Sequence, residues 1–446
     1  MRVKLQIPDL IILMTIASTL LYLVAKNLPF GIGSFRFMWG PLALITILFC
    51  RPIAFTKGPM RFLLLYGALS VGILQYTLWN YMDDWNRSGI LEDFYILTVF
   101  VAIWNYYWII CDFKRLAILC KWAFLFIVIT LIMTNIALTI DPLIVRNAAT
   151  GFVDDPFQMK LSKLTGSASY GYAQAIVLLI PILVYHIKNR KQMVFPHKAL
   201  IAILILILIT TIRVQVFANL LVASLITLLA IMGSKNRYLG YRFLAIFVII
   251  YVIIPTSFYA YIFTNLGSYF KQDTEIHYKL NDFALFIQNP ELTTTTEAGG
   301  RSERYPQLFE ALVSNPLFGH ASYKSHLDIG VGGHLYWMNK LALWGILGFL
   351  FFVFVLYKIY KTIIYFFIDT EIWYNYFLSV LALILFGLTK NIAGREPWIM
   401  LIVIIPGLYF LSHIQKKRNK HQHIMPCNET KPYKPNFINT WEGTRI

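Results

Sequence analysis

The stretch LILITTIRVQVFANLLVASL, residues 206–225, holds one formal charge, Arg213, set between two apolar runs. No other Lys, Arg, Asp or Glu occurs from residue 199 to 234. About twenty apolar residues cross a bilayer core as a helix, so the stretch reads as the meeting point of two membrane spans. Arg213 then sits at their shared end, where it either snorkels to lipid headgroups or faces inward and binds an anion.

The same texture extends outward in both directions. The 446 residues are 58% hydrophobic and 14% charged, with a mean hydropathy of +0.62, whereas a soluble globule is about a quarter charged. Aromatics make up 16%, and clusters such as Trp104, Tyr106, Tyr107 and Trp108 suit the belts that anchor helices at bilayer interfaces. The net charge of +17 is dispersed in short clusters between apolar runs. That pattern fits membrane topology and argues against a nucleic-acid partner.

Apolar runs predict an all-α polytopic membrane protein with about twelve transmembrane helices. They fall near residues 8–25, 35–50, 62–79, 91–110, 115–135, 169–187, 197–212, 214–232, 243–264, 335–357, 372–389 and 397–414. MRVK precedes the first run with no small-residue cleavage site, so that run reads as a retained helix. With twelve spans, Arg51, Lys57 and Arg61, Lys114 and Arg115, Lys188 to Lys198, Lys235 to Arg242, Lys358, Lys361 and the tail KKRNK share one side. The positive-inside rule makes that side the cytoplasm, with both termini in it. Cys50, Cys111, Cys120 and Cys427 map to the same side, where thiols are expected to stay reduced.

The chain divides accordingly into spans one to nine (residues 1–264), a long polar insert (265–333), spans ten to twelve (334–414) and a basic, polar tail (415–446) expected to be disordered. Topology puts the insert outside the cytoplasm. Within it, EIHYKLNDFALFIQNP has a helical apolar stripe stopped by Pro290, ELTTTTEAGG reads as a flexible loop, and RSERYPQLFEALV resumes a helix. Two short surface helices are predicted.

Arg301 and Arg304 are one helical turn apart, so both guanidinium groups can reach one anion, or Glu303 can satisfy them locally. His334 follows two glycines and opens the tenth span. An imidazole there, with an unperturbed pKa of about 6.5, suits a general base, although a lone histidine is more often structural. Asp273, Glu275, His277, His326 and Asp328 are candidate metal ligands, but their separations match no compact ligand motif.

GGRSERYPQLFEALVSNPLFG (299–319) followed by GGHLYWMNKLALWGILGFL (332–350) resembles the signature of the O-antigen polymerase and ligase superfamily. Arg301 precedes Pro316 by fifteen residues, and Gly319, His334, Gly345 and Gly348 also fit that pattern. KLTGSASYGYAQAIVLLIPILV (163–184) resembles the start of the family's sixth span, so the resemblance runs over roughly residues 160–405. Three positions depart from it. Leu335 follows the histidine where Asn or Ser is common, His320 replaces a second glycine, and Ile212-Arg213-Val214 stands where Ser-Arg-Gly is common.

The resemblance implies about twelve spans with one long periplasmic loop in the bacterial inner membrane. It implies a glycosyltransferase using an undecaprenyl-pyrophosphate-linked glycan as donor, without metal or other cofactor. Arg213, Arg301 and Arg304 would bind the pyrophosphate, Arg301 would also stabilise leaving-group charge, and His334 would be the catalytic base. The acceptor would be a second lipid-linked glycan for a polymerase, the favoured alternative, or lipid A core for a ligase. A chain-length regulator is a further possible partner, alongside membrane lipids. A transporter or flippase would instead carry mid-span charges and an internal repeat, and neither stands out.

Overall fold

In a computed structural model, the described residues are 5–28, 33–80, 89–150, 155–189, 195–214, 216–233, 242, 245, 255–270, 272, 275–289, 304–319, 335–365, 367, 370–392 and 394–418. Among them the chain is helical throughout. The first half holds α1 (Ile7–Leu20), α2 (Tyr22–Asn27), α3 (Gly40–Cys50), α4 (Met60–Asn80), α5 (Gly89–Ile109), α6 (Phe113–Ile140), α7 (Ile144–Thr150), α8 (Pro156–Thr165), α9 (Tyr170–Leu178) and α10 (Ile180–Lys188). The second holds α11 (His197–Arg213), α12 (Phe217–Gly233), α13 (Thr256–Ser268), α14 (Glu275–Gln288), α15 (Arg304–Ser314), α16 (Tyr336–Ile364), α17 (Thr370–Thr389), α18 (Arg395–Ile399) and α19 (Ile405–Arg418). Polar caps set several starts: Asp112 accepts from Arg115 N, Asp155 from Phe157 N, and Ser169 from Tyr172 N.

Four helical stretches among the described residues are long and apolar enough to cross a membrane, against the twelve expected: Phe113–Ile140, Pro156–Lys188, Tyr336–Ile364 and Glu371–Thr389. The first two expected spans meet shorter helices, because the backbone breaks inside those apolar runs, while α4 and α5 each run unbroken for 21 residues. Leu21, at φ −103° and ψ 80°, separates α1 from α2, and a π-type turn at Phe35–Trp39 precedes an α3 of only 11 residues. Hydropathy along a chain reports apolar length and is blind to such breaks. The run 243–264 is described continuously only from Pro255 onward, and the tail beyond Arg418 lies outside the described residues.

The core is rich in fully buried rings, among them Trp104, Phe124, Tyr172, Tyr374 and Tyr376. Their hydroxyls donate to carbonyls of neighbouring helices: Tyr172 Oη to Ile127 O at 2.5 Å, Tyr374 Oη to Leu229 O at 3.1 Å and Tyr376 Oη to Leu401 O at 3.0 Å. Leu401 belongs to a π-type turn, Met400–Ile404, between α18 and α19, and Cys120 Sγ reaches the Val403 carbonyl of that turn. A widened turn leaves carbonyls short of helical partners, and these side chains supply them. Large aliphatic side chains remain outside, such as Leu350 at 57% exposed. A lipid-facing surface is where that exposure costs nothing.

Contacts sort the helix ends into two groups. At one end, Asp9 of α1 accepts from Tyr107 Oη at 2.7 Å and pairs with Arg115 at 3.6 Å. At the other, the C-terminal half of α6 meets the end of α1 (Thr130 Oγ1 to Leu20 O, 2.6 Å), Ala168 N (to Thr134 Oγ1, 3.2 Å) and Arg213. Of the cysteines, Cys50 and Cys120 are free thiols, and Cys427 lies outside the described residues.

Both insert helices form, as α14 and α15. The tenth span differs from its expectation: it runs from Tyr336 to Ile364 and breaks at Gly345, whose φ of 64° and ψ of −176° are open in practice only to glycine. The break frees two amides, and the turn after α15 fills them: Ile346 N donates to Pro316 O at 2.7 Å and Leu347 N to Leu317 O at 3.2 Å. Gly319, at φ 68°, closes this turn so tightly that a Cβ there would lie 2.3 Å from Gly345 N. The glycines at 319 and 345, far apart in the chain, are two halves of one joint.

Candidate functional site

Of the residues expected to act, Arg301 and His334 lie outside the described residues. Arg304 is the first residue of α15, which is seated on the first half of α16 through Leu308, Ala311, Leu335 and Ala342. Tyr305 Oη donates to Leu388 O near the end of α17, so α15 also touches that helix. Arg213 ends α11, where Nη1 reaches Asn135 O at 3.2 Å and Nη2 reaches Thr139 Oγ1 at 2.9 Å. Arg213 and Arg304 are thus held by different helices.

The fold assembles a polar centre that the sequence did not announce. Glu396, in the first turn of α18, is 5% exposed. Its Oε1 accepts from Tyr22 Oη and, at 3.4 Å, from Ser169 Oγ, and the two hydroxyls are 2.7 Å apart. Lys26 of α2 is anchored next to them, donating to Ser162 Oγ at 2.5 Å and Ser167 O at 2.9 Å. Arg395 turns away from its neighbour Glu396. It donates to Ser18 O at 3.3 Å, and its Cζ stands 5.2 Å over the Phe35 ring.

A second buried centre lies close by. Lys340 (5% exposed) pairs with Asp93 (2% exposed), and Tyr336 Oη donates to Asp93 Oδ2 at 3.1 Å. Tyr336 also approaches Trp398 of α18, centroid to centroid 6.5 Å, which joins the two centres. Asp93 Oδ1 and Tyr66 Oη are enclosed with no hydrogen-bond partner among the described residues, which is costly in a dry interior.

Among the described residues, Lys26, Arg213, Arg304 and Arg395 have no carboxylate within salt-bridge distance, whereas Arg36 pairs with Glu92 and Arg115 with Asp9 and Asp112. Burial lowers the Lys26 ammonium from its ordinary 10.5 to about 8. The fold therefore favours the neutral amine, the unfolded chain binds more protons between about 8 and 10.5, and stability rises with pH across that window. Acylation of Lys26 followed by mass spectrometry should show a reactivity midpoint near 8; a midpoint near 10.5 would place the amine in water.

No three His, Cys, Asp or Glu side chains converge on a possible metal position among the described residues. Of the candidate metal-binding histidines, His277 has both nitrogens engaged: Nδ1 donates to Gly267 O and Nε2 accepts from Asn281 Nδ2, each at 2.9 Å. Asp273, His326 and Asp328 lie outside the described residues.

Some of this was legible in the sequence. Lys340 is a single charge inside an apolar run, Asp93 follows Glu92 at the head of one, and Lys26 and Arg395 are cations on the side that positive-inside reasoning leaves poor in them. What no local pattern signals is that Tyr22, Ser169 and Glu396 meet. No protein-family model and no curated protein matches the chain. The structure therefore stands as that of a helical, membrane-embedded protein with a charged, hydroxyl-rich centre at one end of its helices.

Proposed function

We propose that this protein is a glycosyltransferase of the bacterial inner membrane, taking an undecaprenyl-pyrophosphate-linked glycan as donor and elongating another lipid-linked glycan with it. The observation that carries the reading is the set of basic side chains without carboxylate partners, Lys26, Arg213, Arg304 and Arg395, at one end of an apolar helical body. Four unneutralised cations beside buried hydroxyls suit a phosphate-bearing ligand, and exposed aliphatic surface suits its lipid. The joint between Gly319 and Gly345 supports the resemblance too, since it gives two of its glycines a shared mechanical reason. Arg301 keeps its proposed role in pyrophosphate binding with charge stabilisation, and His334 remains the resemblance's candidate for the base.

The test is transfer by the purified protein from a synthetic lipid-linked oligosaccharide. A lengthened lipid-linked product supports a polymerase, product on added lipid A core makes the protein a ligase, and no product with either acceptor overturns the reading. Arg301→Ala should lower turnover by about 10²- to 10³-fold, the usual scale for one preorganised charge-stabilising donor. Arg301→Lys should rescue poorly, because an ammonium cannot bridge two oxygens.

A further inference from the structure

We propose that Glu396 is the proton acceptor for the attacking hydroxyl, an inference that rests on the glycosyl-transfer reading above. The two carboxylate oxygens are treated differently by the fold. Oε1 is pinned by Tyr22 Oη and Ser169 Oγ. Oε2 receives no hydrogen bond from any described residue, and it faces the backbones of Gly171 and Gly394, where a Cβ would lie 2.7 Å and 2.8 Å from it. Two helices thus omit side chains around one oxygen of a buried acid.

The charged and polar groups around it come from neighbouring elements: Tyr22 and Lys26 from α2, Ser169 at the start of α9, and Arg395 on its own helix. None of the cations forms an ion pair with it. A carboxylate tied only by hydroxyls through one oxygen is oriented and keeps its lone pairs on the other, the arrangement a general base requires. In the step, the acceptor oxygen bonds to the anomeric carbon and the bond from that carbon to the pyrophosphate oxygen breaks, its electron pair leaving with the pyrophosphate. The hydroxyl proton passes to Oε2.

Glu396→Gln separates this role from a structural one. The amide carbonyl can still accept from Tyr22 and Ser169, so a purely structural residue tolerates the change. The expected result is a fall in kcat of about 10²- to 10⁴-fold with the donor KM and thermal midpoint unchanged. Near-normal kcat in Glu396→Gln, with a large loss in His334→Gln, would overturn the proposal and return the base role to the histidine while leaving the donor chemistry standing. A wild-type protein inactive with every lipid-linked donor would instead remove the glycosyl-transfer reading and this step with it.

Discussion

Replacing Lys340 with Met should destabilise the protein by about 3–5 kcal/mol, the cost of stranding one partner of a buried ion pair. Asp93, 2% exposed, has its Oδ2 on Lys340 and Tyr336, and its Oδ1 already has no hydrogen-bond partner. With the ammonium gone, a buried carboxylate keeps one neutral donor. The reverse deletion, Asp93→Leu, should cost about as much by stranding the ammonium. The double variant should recover most of the loss, because two apolar side chains of similar volume often replace a buried pair with little net cost. Thermal melts of the detergent-purified single and double variants measure the coupling. Additive losses would mean that the pair contributes nothing as a pair.

Gly345→Ala should be comparably damaging, for a reason lodged in the backbone. At φ 64° and ψ −176° the residue lies where only glycine rests easily, and forcing another residue there costs about 1–3 kcal/mol. A Cβ would also lie 2.5 Å from the Leu317 carbonyl oxygen, so the turn at residues 315–319 must move away. That breaks the hydrogen bonds from Ile346 N and Leu347 N, each worth about 1 kcal/mol and costlier when left unmade in an apolar setting. Limited proteolysis should show faster cleavage between α15 and α16, together with a lowered thermal midpoint. Wild-type protection in the variant would show that the joint tolerates a side chain.

The same joint shows how far local sequence carries. Gly319 and Gly345 were recognisable as special positions, but only as members of a pattern. Their purpose, one turn capping the amides freed by a break in a helix, depends on a contact the chain makes after folding. Arg213 behaves similarly. Its place at the end of an apolar run follows from the sequence, while its hold on Asn135 and Thr139 comes from α6, more than seventy residues away.

By itself the sequence determined that the chain is helical and membrane-embedded, that the polar insert carries two helices, and that isolated charges sit in or beside apolar runs. Those properties are set by composition and by the spacing of apolar residues, which act locally. Tertiary structure alone decided where helices break within those runs, as at Leu21 in the first and Gly345 in the tenth; four stretches among the described residues, rather than about twelve, are long and apolar enough to cross. It also decided that Tyr22 and Glu396, 374 positions apart, share a hydrogen bond, and that Ser169 joins them from 147 positions beyond Tyr22. Periodicity says which face of a helix is buried, but not which helix lies against it. The partner of a buried polar group is chosen only when two such faces pack, since only then does an unpaired hydroxyl or carboxylate become costly enough to require one.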